Sequence, residues 1–233
     1  MAVLESWGLI AEVGVHALGQ WGYLAGRDED RLSDLNDAFR SPEVRAVIAT
    51  TGGAGAYRSA DEIDFNAVRA DPRPLVGFSD ITSPHLALWR HCGLAGIHGF
   101  LAGSRSAAST RRLLMNGAPI TLRRDPLFLE VERSIGLGQI DRQVTQLIRS
   151  GSLRGVRGVA LGRFPGFDDY TDRGWTLVDV LTDRLGSLGV PVLGGLDVGR
   201  GTDPLSVPLG PPAVLNTVAG TLTVAPGVSG KDG

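Results

Sequence analysis

Cysteine, histidine and long apolar runs are all scarce in this chain. One cysteine, Cys92, and four histidines occur among 233 residues. A single cysteine cannot form an internal disulfide, so the chain suits a reducing compartment or is indifferent to it. The N-terminal apolar stretch is interrupted by Glu5 and Glu12 and does not resemble a signal peptide, so the cytoplasm is the default expectation. The histidines show no spacing typical of metal ligands, and we expect neither a metal nor another cofactor. No stretch reaches about 18 apolar residues, so no membrane association is expected. Basic runs are also missing and the net charge is −2, which argues against a nucleic-acid partner.

Glycine, by contrast, is abundant: the chain has 33, about twice the usual share, and many of them follow apolar runs. In the first half, strand patterns at 44–49, 74–78 and 96–98 alternate with helical patterns at 58–69 and 81–91. Alternation at this spacing is typical of βαβ units. The sequence therefore predicts an α/β fold, with an N-terminal parallel-sheet domain flanked by helices.

The second half predicts a smaller C-terminal α/β domain. It contains strand patterns at 127–131, 158–163 and 190–193, helical patterns at 139–149 and 175–185, and short β segments over 205–224. The region between the halves is polar and rich in small residues. We therefore predict an N-terminal domain over 1–105, a linker over 106–126 and a C-terminal domain over 127–226.

A serine stands where the 74–78 strand pattern meets the 81–91 helical pattern, in Gly77-Phe78-Ser79-Asp80. A hydroxyl at such a strand tip is exposed, and the N–H groups that open the next helix can hold a developing oxyanion. The motif thus predicts a nucleophile at Ser79. The alternative is that Ser79 or Asp80 only caps the helix, since both residue types are preferred there.

A glycine-rich turn after the first strand pattern offers a rival interpretation. Gly53-Ala54-Gly55 is similar to a dinucleotide-binding turn, and Asp80 would then be the ribose-binding acid. The third glycine of that motif, however, would fall at Arg58. Nucleotide binding is therefore the weaker hypothesis.

A wider set of short runs carries a resemblance to a known family. The runs are Gly22-Tyr23-Leu24-Ala25-Gly26, Arg31-Leu32-Ser33-Asp34-Leu35-Asn36, 44–53, 74–82, 127–130, 140–142, 161–164, 191–192, Gly194, Gly199 and 208–210. Together they resemble the LD-carboxypeptidase family, the serine peptidases of muramoyl-tetrapeptide carboxypeptidase and microcin-immunity type. The resemblance covers most of the chain. It implies a hydrolase that cleaves a terminal D-amino acid from L,D-linked, peptidoglycan-derived peptides.

The resemblance also implies a set of site residues. Ser79 is the nucleophile and Glu130 the carboxylate partner. The N–H of Asp80 and one from the Gly52-Gly53 turn form the oxyanion hole. The implied partner is a small peptide substrate of muropeptide type. A homodimer is a separate expectation, which the resemblance does not supply.

The sequence departs from the family pattern where a histidine base is expected, because Arg200 follows Gly199. Arginine stays protonated and has no acceptor lone pair, so it cannot be the general base. A histidine of the first half could serve only if the geometry were rebuilt.

Two segments of the family pattern are also missing, a first strand and a connecting stretch with a G-G-N-L motif. We therefore expect a family member with impaired activity. The alternatives are a non-catalytic peptide-binding relative, in which Arg200 holds the terminal carboxylate of the peptide, and a truncated gene product.

Overall fold

Helices and short strands alternate along residues 2–101, 103–116, 120–123, 135–199 and 203–227, the part of the chain that the computed structural model describes. The helices in this part are α1 (Ala2–Ser6), α2 (Asp28–Arg40), α3 (Ala56–Ser59), α4 (Phe65–Ala70), α5 (Thr82–Cys92), α6 (Ser104–Asn116), α7 (Leu137–Arg149) and α8 (Leu177–Gly186). The strands are β1 (Val47–Ile48), β2 (Leu75–Gly77), β3 (Gly96–His98), β4 (Ile120–Arg123), β5 (Val159–Ala160), β6 (Val192–Leu193), β7 (Val207–Leu209), β8 (Ala213–Asn216) and β9 (Thr221–Val224).

The largest sheet in the described part has the strand order β1-β2-β3-β7. Strands β1, β2 and β3 are parallel, as the βαβ spacing predicts, and β7 joins β3 in antiparallel orientation. Pro208 lies opposite Ile97 in that last pairing. Proline has no N–H to donate and is tolerated in an edge strand, which is where β7 lies. The sheet confirms the predicted α/β class.

A buried apolar cluster joins this sheet to the helices that cover it. Phe39 of α2, Val68 of α4 and Leu88 of α5 pack with Ile63 and with Leu75 of β2. Leu75 and Val76 are at most 3% exposed, as expected for a strand with a buried face on each side. The cluster fixes β2, and thereby the point at which β2 ends.

Contacts divide the chain into two units. The first contains residues 1–120, 205–212 and 224–233, and the second contains 121–204 and 213–223. The structure differs from the predicted domain limits in two ways. Helix α6 occupies much of the predicted 106–126 linker, and β7 belongs to the first unit because it pairs with β3. Both differences arise from long-range contacts, such as the 2.6 Å hydrogen bond between the buried hydroxyls of Thr110 and Ser206.

The second unit has its own core. Leu137 and Ile140 of α7 pack with Leu177, Val180, Leu181 and Leu185 of α8 and with Phe167. Helix α8 begins with a capping box, in which the side chains of Thr176 and Asp179 each bind the backbone N–H of the other residue. Strands β5 and β6 are parallel, and β4, β9 and β8 form a further sheet. None of the described helices is long and apolar enough to cross a membrane.

Candidate active site

Ser79 lies at a sharp turn between β2 and α5. Phe78 is still extended, with φ −143° and ψ 174°, whereas Ser79 has a φ of 56°. A positive φ is uncommon for a residue other than glycine and carries a strain on the order of 1–3 kcal/mol. A short 3₁₀ turn, Ser79–Ile81, then leads into α5. This is the strand–turn–helix arrangement in which hydrolases present a nucleophilic serine.

Two glycines allow this turn to be tight. A Cβ at Gly77 would lie 2.6 Å from Cγ2 of Ile81, and one at Gly52 would lie 2.7 Å from Cβ of Ser79. The Gly52 Cβ would also lie 3.1 Å from the carbonyl oxygen of Phe78. Any larger residue at 52 would therefore push the 50–55 loop away from the serine. The structure thus brings the predicted Gly52-Gly53 turn against Ser79.

Asp80 ties the same loop to the turn. Its Oδ2 accepts a hydrogen bond of 2.6 Å from the backbone N–H of Ala56, at the start of α3. The residue at the N-cap position of α5 is Ile81, whose side chain makes no capping hydrogen bond. The helix-cap interpretation of Asp80 is therefore wrong. Its carboxylate positions the loop beside Ser79 instead.

An arginine pair supports the loop from its other side, and sequence reasoning missed it. Nη2 of Arg31 donates to the carbonyl oxygen of Gly55 over 3.3 Å. Arg31 also pairs with Asp28, and Nε of Arg58 donates to the second oxygen of that carboxylate over 2.6 Å. The hydrogen bond from Arg58, with a further contribution from Arg31, lowers the pKa of Asp28. The signal available in the sequence was Arg31, which lies in one of the family-like runs.

The first unit also holds a buried histidine, His85, and a half-buried one, His98, near these strands. Nε2 of His85 lies 3.2 Å from the carbonyl oxygen of Leu75, and burial, with a smaller contribution from His98, lowers its pKa to about 4. His98 ends β3 opposite Gly77, and burial lowers its pKa as well. Both rings are therefore neutral at pH 7. Among the described residues, no group of three or more His, Cys, Asp or Glu side chains could hold a metal ion.

In the second unit, a buried ion pair precedes the position predicted for the base. Nη2 of Arg163 lies 3.1 Å from Oδ1 of Asp197, and the Asp197 side chain is 7% exposed. Arg163 also forms a parallel bridge with Gly199. These contacts fix the backbone up to Gly199. Arg200 and Glu130, the other two predicted site residues, lie outside the described residues.

The chain matches both parts of one family. Residues 1–99 match the LD-carboxypeptidase N-terminal domain, and residues 99–215 match the LD-carboxypeptidase C-terminal domain. A Streptomyces coelicolor protein named as a carboxypeptidase is 36% identical, over 95% of this chain and 86% of its own length. A Bacillus subtilis protein named as a probable murein peptide carboxypeptidase is 30% identical, over 97% of this chain and 86% of its own length.

A solved structure agrees with the fold. The muramoyltetrapeptide carboxypeptidase of Oxalobacter formigenes superposes with a TM-score of 0.82 at 22% identity, covering 96% of this chain and 91% of its own. The chain therefore belongs to the LD-carboxypeptidase family, a family of hydrolases, and the resemblance predicted from the sequence is confirmed. The match to the Streptomyces protein extends over 272 aligned positions, more than the 233 residues present here. That relative thus carries internal residues to which this chain has no counterpart.

Proposed function

We propose that this chain is a serine LD-carboxypeptidase that removes a terminal D-amino acid from peptidoglycan-derived peptides, with an activity lowered by Arg200. The observation that carries the proposal is the turn at Ser79, with its positive φ and with Gly52 packed against the serine. Strain of this kind persists only where the surrounding structure holds it, and it is common at reactive serines. The murein peptide names of the relatives supply the substrate class.

The reaction begins when Oγ of Ser79 attacks the carbonyl carbon that precedes the terminal D-residue. The N–H of Asp80 and one N–H from the Gly52-Gly53 turn would stabilise the resulting oxyanion. The C–N bond then breaks, the D-amino acid leaves with a proton on its amine, and water hydrolyses the acyl-serine. Glu130 is the proposed carboxylate of the proton-transfer chain.

The weak point of this reaction is the proton of Ser79. A base must accept it during the attack, and arginine at the expected position has no lone pair to do so. Loss of a triad base costs on the order of 10⁴-fold or more in rate. Residual activity from oxyanion stabilisation and substrate binding is therefore the expected level.

The same residue favours a second candidate, a peptide-binding protein without turnover. A guanidinium recognises a carboxylate through two parallel N–H···O hydrogen bonds, so Arg200 would hold the terminal carboxylate of a bound peptide. The two candidates share the binding site and differ only in hydrolysis.

Hydrolysis of a tetrapeptide ending in D-Ala separates them. Release of D-Ala is measured for the parent chain, Ser79→Ala and Arg200→His. The carboxypeptidase proposal expects slow release by the parent, none by Ser79→Ala and a large gain in Arg200→His. Release that is absent from the parent but appears in Arg200→His would instead favour the binding protein. Release by the parent that survives Ser79→Ala would refute the role of the serine.

The cytoplasmic location and the homodimer are part of the same proposal. The location is the default expectation from the sequence, and cell fractionation checks it. Light scattering of the purified chain at several concentrations checks the dimer.

A further inference from the structure

We propose that Arg58 is a carboxylate-binding residue of the substrate site, with its guanidinium turned outward beside the 50–55 loop. The inference rests on the proposed function, because it assigns a contact to the peptide that Ser79 would attack. It adds a recognition residue in the first unit, separate from Arg200.

The first observation is the orientation of the guanidinium. Nε of Arg58 donates to Asp28 over 2.6 Å, and among the described residues no hydrogen bond engages its two Nη groups. The side chain is 39% exposed. A guanidinium fixed through Nε presents its two Nη groups as a planar pair of donors, the geometry that matches the two oxygens of a carboxylate.

The second observation is the local charge. Asp28 is the carboxylate partner of Arg58, but it also pairs with Arg31. Asp28 therefore divides its two carboxylate oxygens between the guanidinium groups of Arg31 and Arg58. The pair orients Arg58 without neutralising it, which leaves the arginine able to attract an anion.

The third observation is continuity with Ser79. Arg58 lies in α3 two residues after Ala56, whose N–H is bound by Asp80, the neighbour of Ser79. Two exposed tyrosines lie close to the same guanidinium: Tyr23 is 78% exposed and Tyr57 is 57% exposed. Large exposed aromatic side chains beside an exposed guanidinium are typical of recognition surfaces.

The ligand chemistry follows from the substrate class. A carboxypeptidase substrate ends in a free carboxylate, and an acidic residue within the peptide would offer a second one. Either group can accept two hydrogen bonds from Arg58. The geometry assigns a carboxylate, and peptides that lack one or the other group distinguish the source.

Binding to the Ser79→Ala protein tests the inference without turnover. Isothermal titration calorimetry measures the binding affinity of three peptides. The first is a tetrapeptide with an internal acidic residue and a free carboxylate on its terminal D-Ala. The second has that terminal carboxylate converted to an amide, and the third has the internal carboxylate converted to an amide. Each is measured in the Ser79→Ala background alone and with Arg58→Gln, Arg58→Lys or Arg45→Gln added. Arg45 is the matched control, because it is an exposed arginine paired with Asp71 that precedes β1, at the end of the strand away from the loop.

We expect Arg58→Gln to weaken binding of the full peptide by about 10- to 100-fold, the range of a charge-assisted hydrogen-bond pair. Arg58→Lys should keep part of that affinity, and Arg45→Gln should keep all of it. The peptide that lacks the carboxylate bound by Arg58 should show no effect of Arg58→Gln: it should bind with the same affinity to the Ser79→Ala protein with and without that substitution. The amide peptide that behaves in this way shows which carboxylate Arg58 binds. Circular dichroism melting of each variant confirms that it is folded.

Two results would overturn the inference: equal binding of all peptides by Arg58→Gln and Arg45→Gln, or no binding of any peptide by the Ser79→Ala protein at millimolar concentration. Failure of the parent to release D-Ala, with peptide binding and its dependence on Arg58 intact, counts against the proposed hydrolysis alone.

Discussion

Each of the two units contains a glycine after a strand that allows close approach to another backbone segment, but the groups that the glycines approach differ. Gly52 follows β1 and meets the side chain of Ser79, whereas a Cβ at Gly162, after β5, would lie 2.6 Å from the carbonyl oxygen of Val198. Around Gly52 the charged side chains are partly exposed, and around Gly162 the Arg163–Asp197 pair is largely buried. The same kind of close glycine contact therefore lies beside the proposed nucleophile in the first unit and beside a largely buried ion pair in the second.

The strongest test of this contrast removes the buried charge of the second unit. Asp197→Ala leaves Arg163 without this carboxylate, and breaking a buried pair from one side costs about 3–5 kcal/mol. Urea unfolding measures the loss. The control is Asp141→Ala, which removes a half-exposed aspartate 3.5 Å from Arg184 and should change stability by no more than about 0.5 kcal/mol. Equal effects of the two variants would contradict the contrast.

The first unit buries a neutral histidine, His85, and the pH dependence of stability tests this. Burial lowers the pKa of His85 to about 4, whereas the unfolded chain has a value near 6.5. The unfolded state therefore binds the proton more readily, so stability is complete above pH 6.5 and falls as the pH drops towards 4. The expected loss is about 3 kcal/mol.

Urea unfolding at several pH values measures this dependence. His85→Gln, whose amide can still donate to the carbonyl of Leu75, should remove most of the slope between pH 6.5 and 4. A parent chain whose stability stays constant over that interval would show that His85 is not held neutral.

The two glycines themselves should respond alike in stability and differently in function. Adding a methyl group at Gly52 or Gly162 overpacks the contact and should cost about 1–3 kcal/mol in urea unfolding. Only Gly52→Ala should also reduce D-Ala release, by roughly 10- to 100-fold, because the loop moves away from Ser79. The activity is measured in the Arg200→His background, where it is expected to be high. A reduction caused equally by Gly162→Ala would erase the distinction.

The smallest expected effect is a gain in stability, at a glycine whose Cβ position has no close neighbours. Gly138 lies in the first turn of α7, and nothing lies within 4 Å of the position of its Cβ. Alanine there should stabilise the chain by roughly 0.5 kcal/mol, since it restricts the unfolded state and favours the helix. Thermal melting checks the sign. A loss of stability would mean that tight glycine contacts are not what separates Gly52 and Gly162 from other positions.

Much of the first sheet was predictable, because its strands are short apolar runs that end at glycine or at a turn. Strands β2 and β3 and helix α5 lie within a residue or two of their predicted limits. The helix predicted over 58–69, however, is broken into α3, a 3₁₀ turn and α4. Asp64 starts α4 by accepting from the N–H of Ala67, and its own N–H is bound by Asn36 of α2. A contact across 28 residues is not visible in local periodicity.

The site shows the same division between local and long-range signals. The turn at Ser79 was predictable from a glycine, a serine and the end of an apolar run. The bond from Asp80 to Ala56 and the sharing of Asp28 by two arginines were not, because they join three segments distant in sequence. Glu130 and Arg200 stay predictions.

The pairing of β7 with β3 has a consequence for how the protein is made. Residues 96–98 leave the ribosome long before residues 207–209, yet the sheet that carries Ser79 is complete only when the later strand docks. Until then the edge of β3 is an open template for other nascent chains. A chain released from a ribosome that stalls within the second unit would therefore contain Ser79 but lack β7, the edge strand of the first sheet.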